Sequence, residues 1–539
     1  MATQYFFGGK VVKLPGAYSE IKAQVASPNN PASYGKVLIV DTGSNTGWGG
    51  GSGVSGELNQ GKNSVYVFNS PEEMKAFVKG GKWYNLADNL FKPSKSADTV
   101  GVSQVIWISA KQTTAASFDL VFLDLEVTLT IKCKDEGTFS NGILTNSILS
   151  KGYAMTAHVG VKDPTKIFFK FWVSTYTGVS LDNLPFNEVK VDQASPEVVA
   201  ISPEVSKVDD LVNWMNSDYN FGLGFSLDSV VGVGQSIGST DISSLVASGN
   251  LLFSGGTETY GNQDLESALD AVKVKDSSFC FFDKEGSDLL RATATRLQYF
   301  CQTEAKFKKQ LVTAGGSTRT EFTTVSVAAS TLFNSDSVLT IHGSVKRLSS
   351  LTSTKTRSWS AMTHAALILG RIAGCSPEVP ATWKEIDIQG LDYELSEKEL
   401  ESCLDSGILT TYWDEELERY CILKGVNTLQ NNQNQVNPDG TTPAIQIKRI
   451  ELQINKELVL DCKKELCSQR NGVNVLTVSE EFLADWTIIK LKQKADRGLI
   501  VSYDSVNVER QGDAYFTSYR FQANEEINFF FFTGFLVEN

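Results

Sequence analysis

Residues 524 to 539 read NEEINFFFFTGFLVEN, with four consecutive phenylalanines. A strand turns alternate side chains to opposite faces, so Ile527, Phe529, Phe531, Phe535 and Val537 share one side while Phe530, Phe532 and Leu536 share the other. Both sides are apolar. A segment of this kind needs cover on two faces, because exposed it combines high β-propensity with no charge and no proline, the signature of aggregation. It either completes a sheet in its own domain or adds to a sheet edge on a neighbouring molecule, where main-chain hydrogen bonds give affinity.

The chain around it has 539 residues; at about 100 to 200 residues per domain this predicts three or four units. Apolar residues make up 41% and charged residues 21%, an ordinary globular composition. A formal net charge of −13 provides no sequence-wide basic surface to neutralise phosphates, so nucleic acid is not an expected partner. The start, MATQYFFGGK, has no basic region followed by an apolar one, and no apolar run approaches the roughly 18 residues needed to span a bilayer. On these grounds the chain reads as soluble, cytosolic and without membrane insertion. The eight cysteines include no C-x-x-C pair, which fits free thiols in a reducing compartment. His158, His342 and His364 lie too far apart for a local metal motif, and no cofactor or metal is expected.

Along the chain, residues 1–30 read as an arm carrying a short strand around Val11 and Val12. KVLIV from Lys36 and VYVF from Val65 are strands, and Ser70 caps a helix whose first position is Pro71. Residues 103–195 carry alternating β-branched and aromatic residues with glycine turns, the pattern of a small sandwich or barrel. Residues 196–357 alternate helical and strand patterns, as in a sheet covered by helices. From 358 the boundaries sharpen. The helix in SWSAMTHAALILGRIAG stops at Gly374 with Pro377 beyond it, and Ser396 with Glu399 forms a capping box for a helix ending at Gly407. ILTTYWD and ERYCILKGVNTL read as a pair of strands. Ile447, Ile450, Ile454, Leu458, Cys462 and Leu466 recur at spacings of three and four, giving one apolar helix face. LIVSYDSVNVER, AYFTSYRFQA and the phenylalanine segment are the last strand candidates.

Motifs for catalysis are weak. GSGVSG at 51–56 fits G-x-G-x-x-G, but no helix follows to present free amides and a dipole to a phosphate. GELNQGKNS at 56–64 resembles a P-loop, but Asn63 stands where a hydroxyl should hold magnesium, and the stretch opens a strand instead of a helix. No histidine lies near a G-x-S-x-G elbow. Carboxylate pairs such as Asp209 with Asp210 and Glu415 with Glu416 read as solvated faces. A P-loop or hydrolase-type enzyme is therefore the lesser alternative, and the chain reads as no enzyme.

Several segments resemble the contractile tail sheath proteins of bacteriophages and related injection machines. LPGAYSE (Leu14 to Glu20) is similar to the family's entry into its first domain. KDEGTFSNG (Lys134 to Gly142) resembles its glycine–asparagine turn, with Gly137 and Asn141 matching. LLFSGGTETYGNQDLESAL resembles the family's Leu-x-Gly-Gly segment before a helix, with Thr257 to Thr259 replacing the expected glycine and aspartate. Ala361 to Leu429 carries the strongest likeness: a small-residue helix, Pro380 and Trp383, then LDSGILTTYW and YCILKGVNTL, with Asn427 in place of a threonine. The pieces fall in family order.

The resemblance implies an α/β and β multidomain fold: a subtilisin-like α/β sheath domain without a catalytic role, an inserted β-sandwich, an α+β C-terminal domain and extended terminal arms. The corresponding limits are 1–30 for an N-terminal arm, 31–102 and 196–357 for the α/β domain, 103–195 for the insertion, 358–524 for the C-terminal domain and 525–539 for a C-terminal arm. It further implies a structural subunit of a virion tail, assembled in the bacterial host cytoplasm. Stacked hexameric rings of it would surround a tail tube, meet baseplate and tail terminator proteins, and contract to drive the tube through a cell envelope. A sheath of a tail-derived injection system is the alternative. The arms would cross between subunits through Val11, Val12, Ile527, Phe529, Phe530, Phe531, Phe532, Phe535 and Val537; at about 3.3 Å per residue the last strand reaches roughly 35 Å. The helix at 444–466 mixes Lys448 and Arg449 with acidic residues, so it presents a charged face either to the tube or to solvent.

Overall fold

The computed structural model describes residues 5–7, 10–12, 35–42, 65–77, 81–94, 101–145, 147–175, 195–217, 219–232, 237, 239–349, 352–430, 441–467, 478–511 and 514–524. The chain divides into two units, residues 1–33 and 34–539. In the first, Tyr5–Phe7 pairs antiparallel with Lys10–Val12, placing Val11 opposite Phe6 and Val12 opposite Tyr5.

At the centre of the second unit lies a seven-stranded sheet. Its strands are β1 (Lys36–Asp41), β2 (Val65–Phe68), β3 (Gln104–Ser109), β4 (Phe279–Glu285), β5 (Gln310–Ala314), β6 (Val338–Ile341) and β7 (Ile408–Leu409). Their spatial order is β7-β6-β5-β4-β1-β3-β2, and every pairing is parallel except that of the edge strand β2. Parallel strands are buried on both faces, and the alternation of side chains separates two cores. Val37, Ile39, Trp107, Phe281 and Val312 face one helical layer; Leu38, Val40, Ile108, Phe282 and Leu311 face the other.

On the first face the helix Gly81–Phe91 meets α1 (Ala361–Ala373). Helix α1 is apolar nearly all round, with every residue from Ala361 to Gly370 buried, as expected for a helix between layers. A Cβ on Gly370 would lie 2.6 Å from the Leu90 carbonyl oxygen and 2.7 Å from that of Asn89. Glycine at this position is what lets the two helix backbones approach.

Between β3 and β4 the chain builds a separate β region around its own core. One sheet contains Lys111–Phe122, Val127–Glu136, Phe225–Val231 and Thr257–Tyr260; the other contains Ile143–Thr145, Ile148–Val159, Ile167–Thr175, Ser195–Ile201 and Asn250–Leu252. Leu120, Leu129, Met155, Phe169, Phe171 and Phe225 from both sheets share one cluster. The expected insertion at 103–195 is thus shifted at both ends: Gln104–Ser109 belongs to the central sheet, and strand pairing carries the β region on to Tyr260. A similar departure occurs at ILTTYWD, where Ile408–Leu409 joins the central sheet and only Thr411–Asp414 pairs with Arg419–Ile422.

The last domain comprises α2 (Ile445–Asp461), continued by a π-helical turn Cys462–Cys467, α3 (Glu480–Asp496), and a hairpin of β8 (Ile500–Gln511) and β9 (Ala514–Ala523). The expected apolar face of α2 exists: Ile450 and Ile454 are fully buried beside Leu491 and Ile500, with Ile447 and Leu458 packed at the margin.

Candidate assembly surface

The segments that resemble sheath sequences meet in pairs. Asn141 of the KDEGTFSNG turn donates through Nδ2 to the Gly256 carbonyl at 2.8 Å and accepts the Gly256 N–H at Oδ1, also at 2.8 Å. This staples the turn to the SGG segment. A Cβ on Gly256 would sit 2.5 Å from the Gly137 oxygen, so the close approach requires glycine. In the same way Gly407 of LDSGI, at φ +64°, leaves no room for a Cβ against the Asn427 carbonyl of GVNTL, 2.3 Å away. Asn427 itself is buried and donates to the Thr442 carbonyl at 2.7 Å. These motifs mark junctions of the fold.

The residues closest to catalytic chemistry form a closed network. His342 is fully buried at the end of β6; its Nδ1 lies 2.8 Å from Ser326 Oγ and its Nε2 2.5 Å from the Tyr393 hydroxyl. Ser326 Oγ also accepts the Gly316 N–H at 2.8 Å. Burial, assisted by the neighbouring His364, pushes the His342 imidazole down to about 4. His364 on α1 donates from Nδ1 to the Gly343 carbonyl at 3.0 Å, and its Nε2 accepts from Thr411 Oγ1 at 3.2 Å; burial pushes it down to about 4 as well. Both rings are neutral, have both nitrogens engaged and are shut off from solvent. The Ser326–His342 pair, which no substrate can reach, holds the end of β6, and His364 ties α1 to Gly343 and Thr411. His158 stacks on Phe168 in the β region. Among the described residues no group of side chains is arranged to hold a metal ion, and no helix is long and apolar enough to cross a membrane. The G-x-G-x-x-G and P-loop-like stretches lie outside the described residues.

Lys448 and Arg449 turn toward their own chain. Lys448 Nζ is 2.9 Å from both Asp336 and Glu451, and Arg449 donates to the Cys375 carbonyl at 2.6 Å with its guanidinium over the Phe279 ring. Lys456 pairs with Asp276 at 2.7 Å. This face of α2 therefore clamps the last domain onto the end of the sheet where β4 and β6 begin. Between α2 and α3 a second charged pair is buried: Glu457 lies 2.6 Å from Lys494, and the half-exposed Arg497 lies 2.6 Å from the same carboxylate. Burial raises the Glu457 carboxyl, but hydrogen bonds from Lys494 and Gln453 and the charges of Lys494 and Arg497 bring it below the usual range.

Among the described residues the hairpin is largely exposed. Beyond Ile500 and Ala523 most of its residues are exposed or half-buried, and among the described residues no strand pairs with the outer edge of either β8 or β9. On the β8 side the Arg510 N–H is taken by Glu480 at the start of α3, at 2.8 Å. The outer edge of β9 stands open among the described residues. An unpaired edge is a template for another strand, and this is the feature of the described structure best suited to assembly. Val11 and Val12 pair within their own hairpin, while Ile527, Phe529, Phe530, Phe531, Phe532, Phe535 and Val537 lie outside the described residues. The open edge was legible only as two strand candidates; whether they pair with the central sheet or stand apart depends on contacts no local pattern encodes.

No family model matches the chain, and no curated protein matches it in sequence. Solved structures do. The sheath tail protein of Desulfitobacterium hafniense is 15% identical, with a TM-score of 0.59 over 95% of this chain and 98% of that one. The sheath tail protein of Listeria innocua is also 15% identical, with a TM-score of 0.52 over 90% of this chain and 95% of that one. Over nearly its whole length, the chain has the fold of the sheath tail proteins.

Proposed function

We propose that the chain is the structural subunit of a contractile tail sheath, polymerising around a tail tube and shortening to drive that tube through a cell envelope. The observation that carries the reading is the extent of the likeness: fold similarity covers almost all of this chain and almost all of a sheath tail protein, leaving no large domain for another task. The buried, fully bonded His342 site supports a structural role over hydrolysis.

In this reading the arms, with Val11 and Val12 on one side and Ile527 to Val537 on the other, pass to neighbouring subunits and complete the sheet begun by the hairpin at its open edge. A contact between two different patches that does not close generates a helical array. On shortening, the domains move as rigid bodies while the arm strands keep neighbours joined, and new interfaces supply the free energy. Tube, baseplate and terminator proteins are the further partners.

Negative-stain electron microscopy of the full chain, alone and with a tube protein, tests the proposal. Hollow, cross-striated cylinders are the expected result, lost when residues 525–539 are deleted. Folded subunits that never form cylinders, with or without a tube, would remove the sheath reading; normal cylinders from the truncated chain would remove the arm assignment alone.

A further inference from the structure

Beside the open edge of β9 runs an apolar groove of about 700 Å³ between α2 with its π-helical turn, α3 and the hairpin. Leu452, Val459 and Leu466 form one wall, Leu483 and Trp486 the other. From the hairpin, Tyr515, Thr517 and Tyr519 of β9 reach it, and no described residue of β8 does. Tyr519 and Phe521 also pack on the core of this domain. The groove thus continues the layer beneath the sheet by the width of one further strand, whose alternate side chains would point into it.

The position of the strand end indicates which segment fits. The carbonyl of Asn524 accepts from Gln446 at the start of α2, at 2.7 Å. Tyr519 donates to Asn455 Oδ1 at 2.8 Å, and Tyr515 to the Val478 carbonyl at 2.7 Å. Strand β9 therefore runs against α2 and delivers the chain to the groove's near end. A segment that reverses after Asn524 passes back along the open edge. From Gln446 to Lys463 a helix rises about 26 Å at about 1.5 Å per residue, which an extended chain covers in about eight residues. Ile527 to Gly534 match that length. At the far end Lys306 and Lys463 face one another, and the Lys463 ammonium holds that of Lys306 below its usual value.

We propose that in the unassembled subunit residues 527–537 pair with the open edge of their own β9 and lay one face of the phenylalanine run into this groove. On the sheath reading, which this part of the inference rests on, assembly then exchanges the segment from its own groove to a neighbour's. A short tether gives an effective concentration in the millimolar range, so the subunit's own segment wins over a dilute neighbour's. This capping covers one face of an aggregation-prone strand before polymerisation begins.

Hydrogen exchange compares the full chain with a chain ending at Asn524, both at dilutions where sedimentation shows single subunits. Amides of β9 are expected to exchange about tenfold or more slowly in the full chain, with protection independent of concentration. The full chain carrying Phe530→Ser and Phe532→Ser together, or Phe529→Ser and Phe531→Ser together, reports which face is docked; one of the two pairs must lose most of the protection. Equal exchange in full and truncated chains would overturn the proposal. Protection that appears only as concentration brings subunits together would also overturn it, while leaving the sheath reading intact.

Discussion

Strand β4 and strand β9 represent two ways of using a sheet. Residues Phe279 to Phe282 of β4 are buried on both faces, with parallel partners on both edges. Strand β9 has one partner among the described residues, one half-buried face and one open edge. The difference shows where this chain places stability and where it keeps hydrogen-bonding capacity in reserve. The interior strands of the α/β body are paired on both edges; in the last domain one edge of the hairpin has no strand partner among the described residues, with a buried ion pair and a small core supporting it. Two regions built so differently should respond unequally to the same perturbation.

Acid should separate them most strongly. His342 and His364 sit in the body, and burial depresses both to about 4, against about 6.5 in the unfolded chain. The unfolded chain therefore binds more protons as pH falls, so their contribution is complete above 6.5 and is lost progressively down to about 4. Each is worth about 3 kcal/mol at the end of that range. The Glu457 carboxyl in the last domain is lowered instead, so its ion pairs hold to more acid conditions. Hydrogen exchange at pH 7 and pH 5 should show the body weakening first. Loss confined to α2 and α3 would contradict this order.

Core truncation is the next largest effect. Phe281 is fully buried in β4 against Trp83, with ring centroids 5.4 Å apart. Phe281→Ala should cost about 3–5 kcal/mol, read as a shift of the first denaturant transition. A change under about 1 kcal/mol would mean that the body is far more plastic than its packing implies.

Glu457→Gln should cost about 3 kcal/mol, because it leaves the buried Lys494 ammonium without its closest anion. The damage should stay in the last domain, with faster exchange in α2 and α3 and none in β4. Replacing the pair together, Glu457→Leu with Lys494→Met, should recover most of the loss. Equal loosening of β4 would show that the two regions unfold as one.

Much of the body was legible because its signals are local. Helix α1 announces its end with Gly374 and Pro377, and the capping box of Ser396 and Glu399 is present as read, with the Glu399 carboxylate accepting the Ser396 N–H at 2.7 Å. Ser70 caps the helix Pro71–Phe77 by accepting the Glu73 N–H at 3.2 Å. What escaped was decided by distant partners. Lys448 and Lys456 look like solvated charges until Asp336 and Asp276 are brought to them by the fold. Strands at 195–201 and 225–231 carry the same short alternating pattern whichever sheet they join, so the limit of the β region could not be placed from pattern alone. For the candidate site, the two strands of the hairpin were readable but their open edge was not, since an unpaired edge is a property of the whole topology.

The smallest effect is the most discriminating. Phe516 lies on β9 with 55% of its surface exposed, paired across the hairpin with Glu509, and it does not line the groove. Phe516→Ser should change subunit stability by no more than about 0.5 kcal/mol, as for other surface substitutions. If Phe516, an aromatic ring on an outer face otherwise occupied by Ser518, Arg520 and Gln522, is kept for a neighbouring copy, the same change should reduce the yield of cylinders while thermal unfolding of the subunit stays put. Loss of stability above about 1 kcal/mol would place Phe516 under cover within its own subunit, and β9 would then be a strand of the same kind as β4. Unchanged stability together with undiminished assembly would leave the open edge, and not the face, as what a neighbour recognises.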